Sequence, residues 1–116
     1  MNRLMRGTLF CLAAVMMLAG PASAEPSADD AIQRYRLGDP AMFALLAGNL
    51  NGLIWANAEL QSGGQARLFC VPSDVDFNVQ RAVEVTTKHL KDAATDGALP
   101  VGSVMLRSLK EAFPCK

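Results

Sequence analysis

The chain has 116 residues and carries 11 basic and 11 acidic side chains, so its formal net charge is zero at pH 7. Residues 1–24 contain two of the basic residues, so residues 25–116 carry nine basic and eleven acidic side chains, a net charge of −2. Neither charge balance attracts nucleic acid or an anionic membrane surface, which excludes partners of that kind. The length suits one small domain.

Residues 1–24 are predicted to form a secretory signal peptide. The segment begins with two arginines, continues as the apolar run TLFCLAAVMMLA and closes on the small residues Ala22-Ser23-Ala24. The apolar run is shorter than the about 20 residues that cross a bilayer. Cleavage after Ala24 is therefore expected to release residues 25–116 into the periplasm without a membrane anchor.

The next segment predicts two helices separated by the triplet Gly38-Asp39-Pro40. The first is expected from Ser27 to Leu37. Its expected apolar contacts are Ile32, Tyr35 and Leu37. Asp39 is a preferred N-cap residue, and a proline suits the first turn of a helix. The second helix is therefore expected from Pro40 to Gln61.

The predicted second helix carries two neighbouring apolar stripes, both expected to be buried. Small residues recur every four positions, which lets the backbone of another helix come close. They are Ala44, Gly48, Gly52 and Ala56. The bulky stripe consists of Phe43, Leu46, Leu50, Leu53 and Ile54. Trp55, the single tryptophan, is expected in the core or at its rim, and a role as a partner-binding anchor is the alternative.

A third helix is predicted from about Phe77 to Ala94, with Asp76 as its N-cap. The face expected to be buried consists of Val79, Ala82, Val83, Thr86, Leu90 and Ala93. The face expected to be solvated consists of Arg81, Glu84, Lys88 and Lys91. Glu84 and Lys88 have the order that favours an ion pair one turn apart. His89 lies at the boundary of the two faces and is expected to be an edge residue.

Thr95-Asp96-Gly97 is expected to break the chain, and Pro100 is expected to start a fourth helix that ends before Pro114. The apolar stripe of this helix consists of Val101, Val104, Met105, Leu109 and Ala112. No segment alternates in the way that predicts a β-strand. The expected fold is all-α, a small bundle of four helices in which three are long and the N-terminal one is short.

Cys70 and Cys115 remain as a pair once Cys11 is assigned to the signal peptide. In an oxidising compartment such a pair usually forms a disulfide. Closing a loop of about 46 residues stabilises a domain by on the order of 4 kcal/mol in the chain-entropy model. The alternatives are a zinc site, which takes three or four ligands, and a cysteine nucleophile, which needs a base. Each would have to rely on His89, the only histidine.

The sequence contains no recognisable catalytic constellation. Asp74 and Asp76 lie close together, but without a partner base, a metal or a phosphate-binding loop they are interpreted as turn and cap residues. We therefore assign no catalytic residue, cofactor or metal ligand, and we do not expect an enzyme.

Three motifs occur in an order that matches a known family. In NGLIWA the matching residues are Gly52 and Ile54, within a Gly-aromatic-Ile-x-Gly helix segment. FCVPSDVDFNVQ is similar to a Cys-x-Pro segment that leads into a helix. ALPVGSVMLRSLKEAFPC is similar to a closing helix that ends in Phe-Pro-Cys. Together the motifs cover roughly residues 45–115, and they resemble the Rap/Tai family of periplasmic immunity proteins, which protect bacteria from peptidoglycan amidase effectors of type VI secretion.

The chain also departs from the family pattern. Leu50 stands where many members carry a further cysteine, Leu53 replaces the usual aromatic residue, and Ala56 replaces the second glycine.

The resemblance implies a disulfide-stapled scaffold that binds and inhibits an amidase effector without chemistry of its own. The loops at residues 61–67 and 92–99 are the candidates for reaching into the amidase cleft. The expected partner-binding residues are Gln61, Gln65, Arg67, Asp92 and Asp96. A homodimer is left open. The alternative function is a small periplasmic chaperone or stress protein, which would bind many unfolded clients instead of one enzyme.

Overall fold

The computed structural model describes residues 24–116, so the predicted signal peptide lies, except for Ala24, outside the described residues. Within them the chain forms four α-helices and one short 3₁₀ helix, which confirms the predicted all-α bundle. The helices are α1 (Ala28–Arg36), α2 (Pro40–Ser62), α3 (Val79–Asp92) and α4 (Val101–Ala112), and the 3₁₀ helix (Ala94–Ala98) precedes α4. None of these helices is both long and apolar enough to cross a membrane.

The starts of α1 and α2 follow from their capping side chains; Asp39 is the N-cap of α2 as predicted, and Ser27, predicted as the first residue of α1, is its N-cap. Ser27 Oγ accepts a hydrogen bond from the N–H of Asp30 at 3.3 Å. Asp39 Oδ1 accepts one from the N–H of Ala41 at 2.9 Å. Each bond satisfies a backbone donor that the first turn of a helix leaves free.

The start of α3 corrects the prediction, because Asn78 and not Asp76 is its N-cap. Asn78 Oδ1 accepts a hydrogen bond from the N–H of Arg81 at 2.9 Å, while Asp76 accepts one from the Asn78 amide. Glu84 forms an ion pair with Arg81 at 3.1 Å and not with Lys88 as predicted.

The core lies between the four helices and includes Phe69 from the segment between α2 and α3. The buried apolar residues are Ala28, Ala31, Ile32, Met42, Leu46, Leu50, Phe69, Ala82, Val83, Val101, Val104, Met105 and Leu109. The predicted stripe of α4 is confirmed except for Ala112, which is exposed beyond the core. Leu37, predicted as a core contact, is 79% exposed.

The orientation predicted for α2 is wrong for its small residues. Ala44, Gly48 and Gly52 are exposed, and a Cβ atom added to either glycine would meet no heavy atom within 4 Å. Of the bulky stripe, Leu46 and Leu50 are buried, whereas Phe43 and Ile54 are exposed. Another helix therefore does not approach the backbone of α2 along this stripe.

The predicted disulfide between Cys70 and Cys115 is confirmed, with their Cα atoms 5.0 Å apart. Beside it, the N–H of Cys70 donates to the carbonyl of Phe113 at 2.7 Å. The ring of Phe77 packs on Phe69 and Phe113, with centroid distances of 6.0 and 5.9 Å. The end of α4 is thus fixed to the segment that leads into α3.

The residues before α1 are fixed to the start of α4. The N–H of Val101 donates to the carbonyl of Pro26 at 3.0 Å, within an antiparallel bridge between Ser27 and Pro100. Glu25 Oε1 accepts a hydrogen bond from the N–H of Gly102 at 2.8 Å. Because α4 has no side-chain cap of its own, the Glu25 carboxylate satisfies one of its free N–H groups.

Candidate protein-binding surface

One half of α2 forms an exposed face that carries no charge. We call this half the outer face of α2; Ala47 in it is half-buried, and its exposed residues are Phe43, Ala44, Gly48, Asn51, Gly52, Ile54, Trp55 and Ala58. At about 100° per residue these positions follow one another around half of the helix circumference. No charged residue occurs between Asp39 and Glu59, so charges border the outer face only at its two ends.

Large apolar side chains stand at both ends of the outer face. Phe43 is 53% exposed and Trp55 is 70% exposed, and between them lies the low surface of Gly48 and Gly52. Phe43 and Trp55 are separated by about 18 Å along the helix axis, at 1.5 Å per residue. A contiguous apolar surface of this kind is typical of a protein interaction site, and tryptophan is one of the residues enriched among the anchors of such sites. Trp55 was expected in the core or at its rim; because it is 70% exposed, it does not lie in the core.

The outer face continues into residues 61–67, which comprise the end of α2 and the loop after it and are exposed throughout. Gln61 thus lies in the last turn of α2 and not in a loop as predicted. Ile54, Gln61 and Arg67 line one shallow groove of about 260 Å³, so two of the predicted contact residues lie beside the apolar surface. Gln65 is exposed in the same loop. A polar rim next to an apolar centre is the usual composition of a protein interface.

Asn57 holds this loop against the inner side of α2. Its Nδ2 donates to the carbonyl of Phe69 at 2.9 Å, and its Oδ1 accepts from the N–H of Leu68 at 2.7 Å. Both backbone groups would otherwise be left without a partner in a part-buried place, which costs free energy. Asn57 therefore determines where the chain leaves the loop and enters the core at Phe69.

The other predicted contact residues, Asp92 and Asp96, lie elsewhere. Asp92 lines a groove of about 640 Å³ with His89 and Glu111, and no residue of the loop at 61–67 contributes to that groove. Asp96 is paired with His89 and Arg107. The structure therefore does not bring the two sets of predicted contact residues into one groove.

His89 is buried and lies between two carboxylates, so the prediction that it is an edge residue is wrong. Its Nδ1 lies 2.7 Å from Glu111 Oε2, and its Nε2 lies 2.8 Å from Asp96 Oδ2. The hydrogen bond to Asp96 raises the pKa of His89 above its ordinary value, against the lowering effect of burial. Hydrogen bonds from His89 and then Arg107 lower the pKa of Asp96.

This arrangement offers little to acid–base chemistry. Both nitrogens of His89 are already engaged with carboxylates, so the ring presents no free lone pair to a nucleophile. Ser108 is buried, and its hydroxyl donates to the carbonyl of Val104 at 2.7 Å. Within residues 24–116, no three His, Cys, Asp or Glu side chains are grouped so that they could hold a metal ion.

The structural roles of Asn57 and His89 were not predicted, although the sequence contains a signal for each. Asn57 follows Leu46, Leu50 and Leu53 at helical spacing, so an amide falls on the buried stripe and needs partners there. His89 falls in the same way on the buried stripe of α3. In both cases the polar side chain on the buried face indicates a structural hydrogen-bonding role.

Comparison with protein-family models, with curated proteins and with solved structures gives no match to this chain.

Proposed function

We propose that this chain is an exported protein-binding domain that inhibits a peptidoglycan amidase effector of type VI secretion. The proposal that the domain binds a protein is supported by the outer face of α2, an uncharged surface bounded by Phe43 and Trp55. The amidase as partner rests on the motif resemblance to the Rap/Tai immunity proteins through Gly52, Cys70 and Phe113.

The disulfide supports the proposed compartment. Disulfides persist in oxidising environments such as the bacterial periplasm and are rare in the cytosol. The Cys70–Cys115 bond therefore agrees with export directed by the predicted signal peptide, and the periplasm is where a cell-wall amidase acts.

In this proposal inhibition works by occlusion. The outer face of α2 packs against the rim of the amidase cleft with Trp55 as its anchor, and the loop at residues 61–67 supplies polar contacts beside it. The apolar contact provides affinity, and the polar rim provides discrimination between partners. The domain itself needs no chemical step.

The test uses purified residues 25–116 and a peptidoglycan amidase effector of type VI secretion taken from sister cells. Inhibition is measured as the reduced release of soluble fragments from peptidoglycan. Trp55→Ala is expected to weaken inhibition by at least about 30-fold, the equivalent of a 2 kcal/mol anchor. Leu37→Ala is the matched control, because Leu37 is equally apolar and 79% exposed but lies at the end of α1. Equal inhibition by both variants would reject the outer face as the binding surface.

Charge reversal in the neighbouring loop sharpens the same test. Arg67→Glu is expected to weaken binding by a smaller factor than Trp55→Ala, since Arg67 is an exposed rim residue, and to leave the melting temperature within a few degrees. Binding is measured by calorimetric titration with the amidase, and melting by circular dichroism. An unchanged dissociation constant would remove the loop from the interface.

The same apolar surface would also suit the alternative function, a chaperone for unfolded proteins. The two functions differ in selectivity, so the purified domain is tested against several unfolded proteins as well as the amidase. In vivo, a deletion strain is challenged by sister cells with an active secretion system. Normal survival of the deletion strain, with binding to many unfolded clients, would reject the immunity role.

A further inference from the structure

His89 joins three elements of the fold at the base of the groove that it lines with Asp92 and Glu111. It lies in the last turn of α3, and its side chain is only 7% exposed. Glu111, its first partner, is in the last turn of α4, and Asp96, its second partner, is in the 3₁₀ helix. One imidazole ring therefore connects α3, the 3₁₀ helix and α4.

The two contacts determine the protonation state of the ring. Carboxylate oxygens only accept hydrogen bonds, so each contact requires an N–H on His89. A neutral imidazole has one N–H and one lone pair, and the lone pair would then face a carboxylate oxygen at 2.7 or 2.8 Å. Both contacts are satisfied together when the ring is an imidazolium.

The carboxylates themselves are poor places for the proton. Asp96 Oδ2 also accepts a hydrogen bond from Arg107 Nη1 at 2.6 Å, which stabilises the ionised form. Glu111 is 59% exposed, so water stabilises its negative charge. The proton shared by this cluster therefore belongs to His89.

We propose that His89 is a pH-operated clamp, closed while both ring nitrogens carry protons and open after one proton is lost. When it is closed, the clamp ties the segment at residues 94–98 and the end of α4 to the end of α3. When it is open, one carboxylate faces a lone pair and separates from the ring.

The surrounding charges favour the closed state. The groove beside His89 is lined by the charged residues Asp74, Asp76, Arg81, Lys88, Asp92 and Glu111. Arg107 faces the cluster from α4 through Asp96. In the groove the four carboxylates outnumber the two cations, and the carboxyl end of α3 adds a partial negative charge, which also stabilises an imidazolium.

Opening affects a defined part of the domain. The carbonyl of Leu99, directly after the 3₁₀ helix, accepts a hydrogen bond from the N–H of Ala28 at 2.9 Å. Gly97 packs so closely under the side chain of Asp29 that a Cβ atom on Gly97 would overlap the Asp29 carboxylate. Release of Asp96 would therefore loosen the contact between the 3₁₀ helix and α1. Met105 and Leu109 are fully buried in the apolar core, so this part of α4 is expected to stay ordered when the clamp opens.

The direction in which stability depends on pH follows from the pKa shifts of His89 and Asp96. Folding raises the pKa of His89, so its contribution to stability is complete below the unfolded value of about 6.5 and is lost as pH rises through the folded value. Folding lowers the pKa of Asp96, so that contribution is present above about pH 3.9 and is lost as pH falls. The clamp is strongest between these limits and opens on the alkaline side.

The test follows the ring directly, since His89 is the only histidine in the chain. In purified residues 25–116 labelled with ¹⁵N, long-range NMR correlation reports the protonation of both ring nitrogens as pH is raised. We expect His89 to be an imidazolium at neutral pH, and we expect its titration midpoint to lie at a higher pH than in the same chain unfolded in urea. Amide hydrogen exchange, corrected for its intrinsic pH dependence, is expected to speed up at residues 94–99 across that titration and to stay slow at Met105.

Two substitutions of the same chemistry separate the clamp from general charge effects. Glu111→Gln is expected to lower the titration midpoint of His89, and the exposed position of Glu111 lets the fold persist. Glu84→Gln, on the solvent side of α3, removes the same charge away from the ring and is expected to leave the midpoint unchanged. A neutral ring at pH 7, equal midpoints in the two variants or unchanged exchange at residues 94–99 would overturn the proposal. The clamp is a property of the domain alone, so the result does not depend on the amidase.

Discussion

α4 and α2 are both rich in apolar residues, but only α4 buries all of its central apolar stripe. In α4 the apolar residues lie on one side, where Val101, Val104, Met105 and Leu109 are fully buried, and the opposite side is polar. In α2 apolar residues occur all around the helix. The core covers the half that carries Met42, Leu46 and Leu50 and leaves the outer face in solvent.

The comparison shows that an apolar stripe indicates the buried side only where the opposite side is polar. In α2 the better indicators are two amides. Asn49 donates to Glu25 at 3.2 Å, and Asn57 bonds the backbone at Leu68 and Phe69. Both amides lie toward the protein, whereas the amide of Asn51 is exposed on the outer face. The asparagines that bond other parts of the chain therefore mark the inner half of α2.

The largest difference between the two helices is expected from truncating a large apolar residue on each. Leu109→Ala in α4 should destabilise the domain by about 2–5 kcal/mol, because it removes a fully buried side chain and leaves a cavity. Ile54→Ala on the outer face of α2 should stay within about 0.5 kcal/mol. Urea unfolding followed by circular dichroism measures both, and similar losses would mean that the outer face is packed after all.

A smaller difference in stability is expected between a substitution on the inner side of α2 and one on its outer side. Asn57→Ala should cost about 1–3 kcal/mol, because the N–H of Leu68 and the carbonyl of Phe69 lose their partner. Asn51→Ala is the matched control, since Asn51 is exposed on the outer face. The same unfolding experiment applies, and a cost at Asn51 as large as that at Asn57 would contradict the assignment of the inner half.

The smallest effect, with the opposite sign, is expected at Gly52. Gly52→Ala should stabilise the domain by up to about 1 kcal/mol, because alanine is the better helix former and no atom opposes its Cβ. Gly102→Ala, in the first turn of α4, is the contrasting variant. There the new Cβ would meet the Glu25 carboxylate and the Asn49 amide. Glu25 would have to move and lose its hydrogen bond to the N–H of residue 102, so any gain is expected to be smaller than at Gly52. A lower melting temperature for Gly52→Ala would indicate that another surface covers the outer face.

Local signals were sufficient to predict most of the fold. Ser27 and Asp39 determine the starts of α1 and α2 through bonds to residues two or three positions away, and such bonds can be predicted from neighbouring letters. The disulfide followed from the number of cysteines. The start of α3 was misplaced because Asp76 and Asn78 are both good caps, and only the structure shows which one bonds the helix.

The candidate site was harder to predict because it depends on contacts between distant residues. The partners of His89 are Asp96 and Glu111, the second of which lies 22 positions along the chain. The exposed side of α2 depends on which half the other helices cover. Helical spacing defines faces, but it does not say which of two apolar faces meets the rest of the protein.

The exposure of Trp55 has a practical consequence for spectroscopy. Trp55 is the single tryptophan of the chain and is 70% exposed, so its indole ring is already in water in the folded domain. Unfolding should therefore change its emission wavelength little, whereas a partner that covers the outer face of α2 should shift the emission to the blue by moving the ring into an apolar environment. The intrinsic fluorescence of this domain thus reports on association more than on folding.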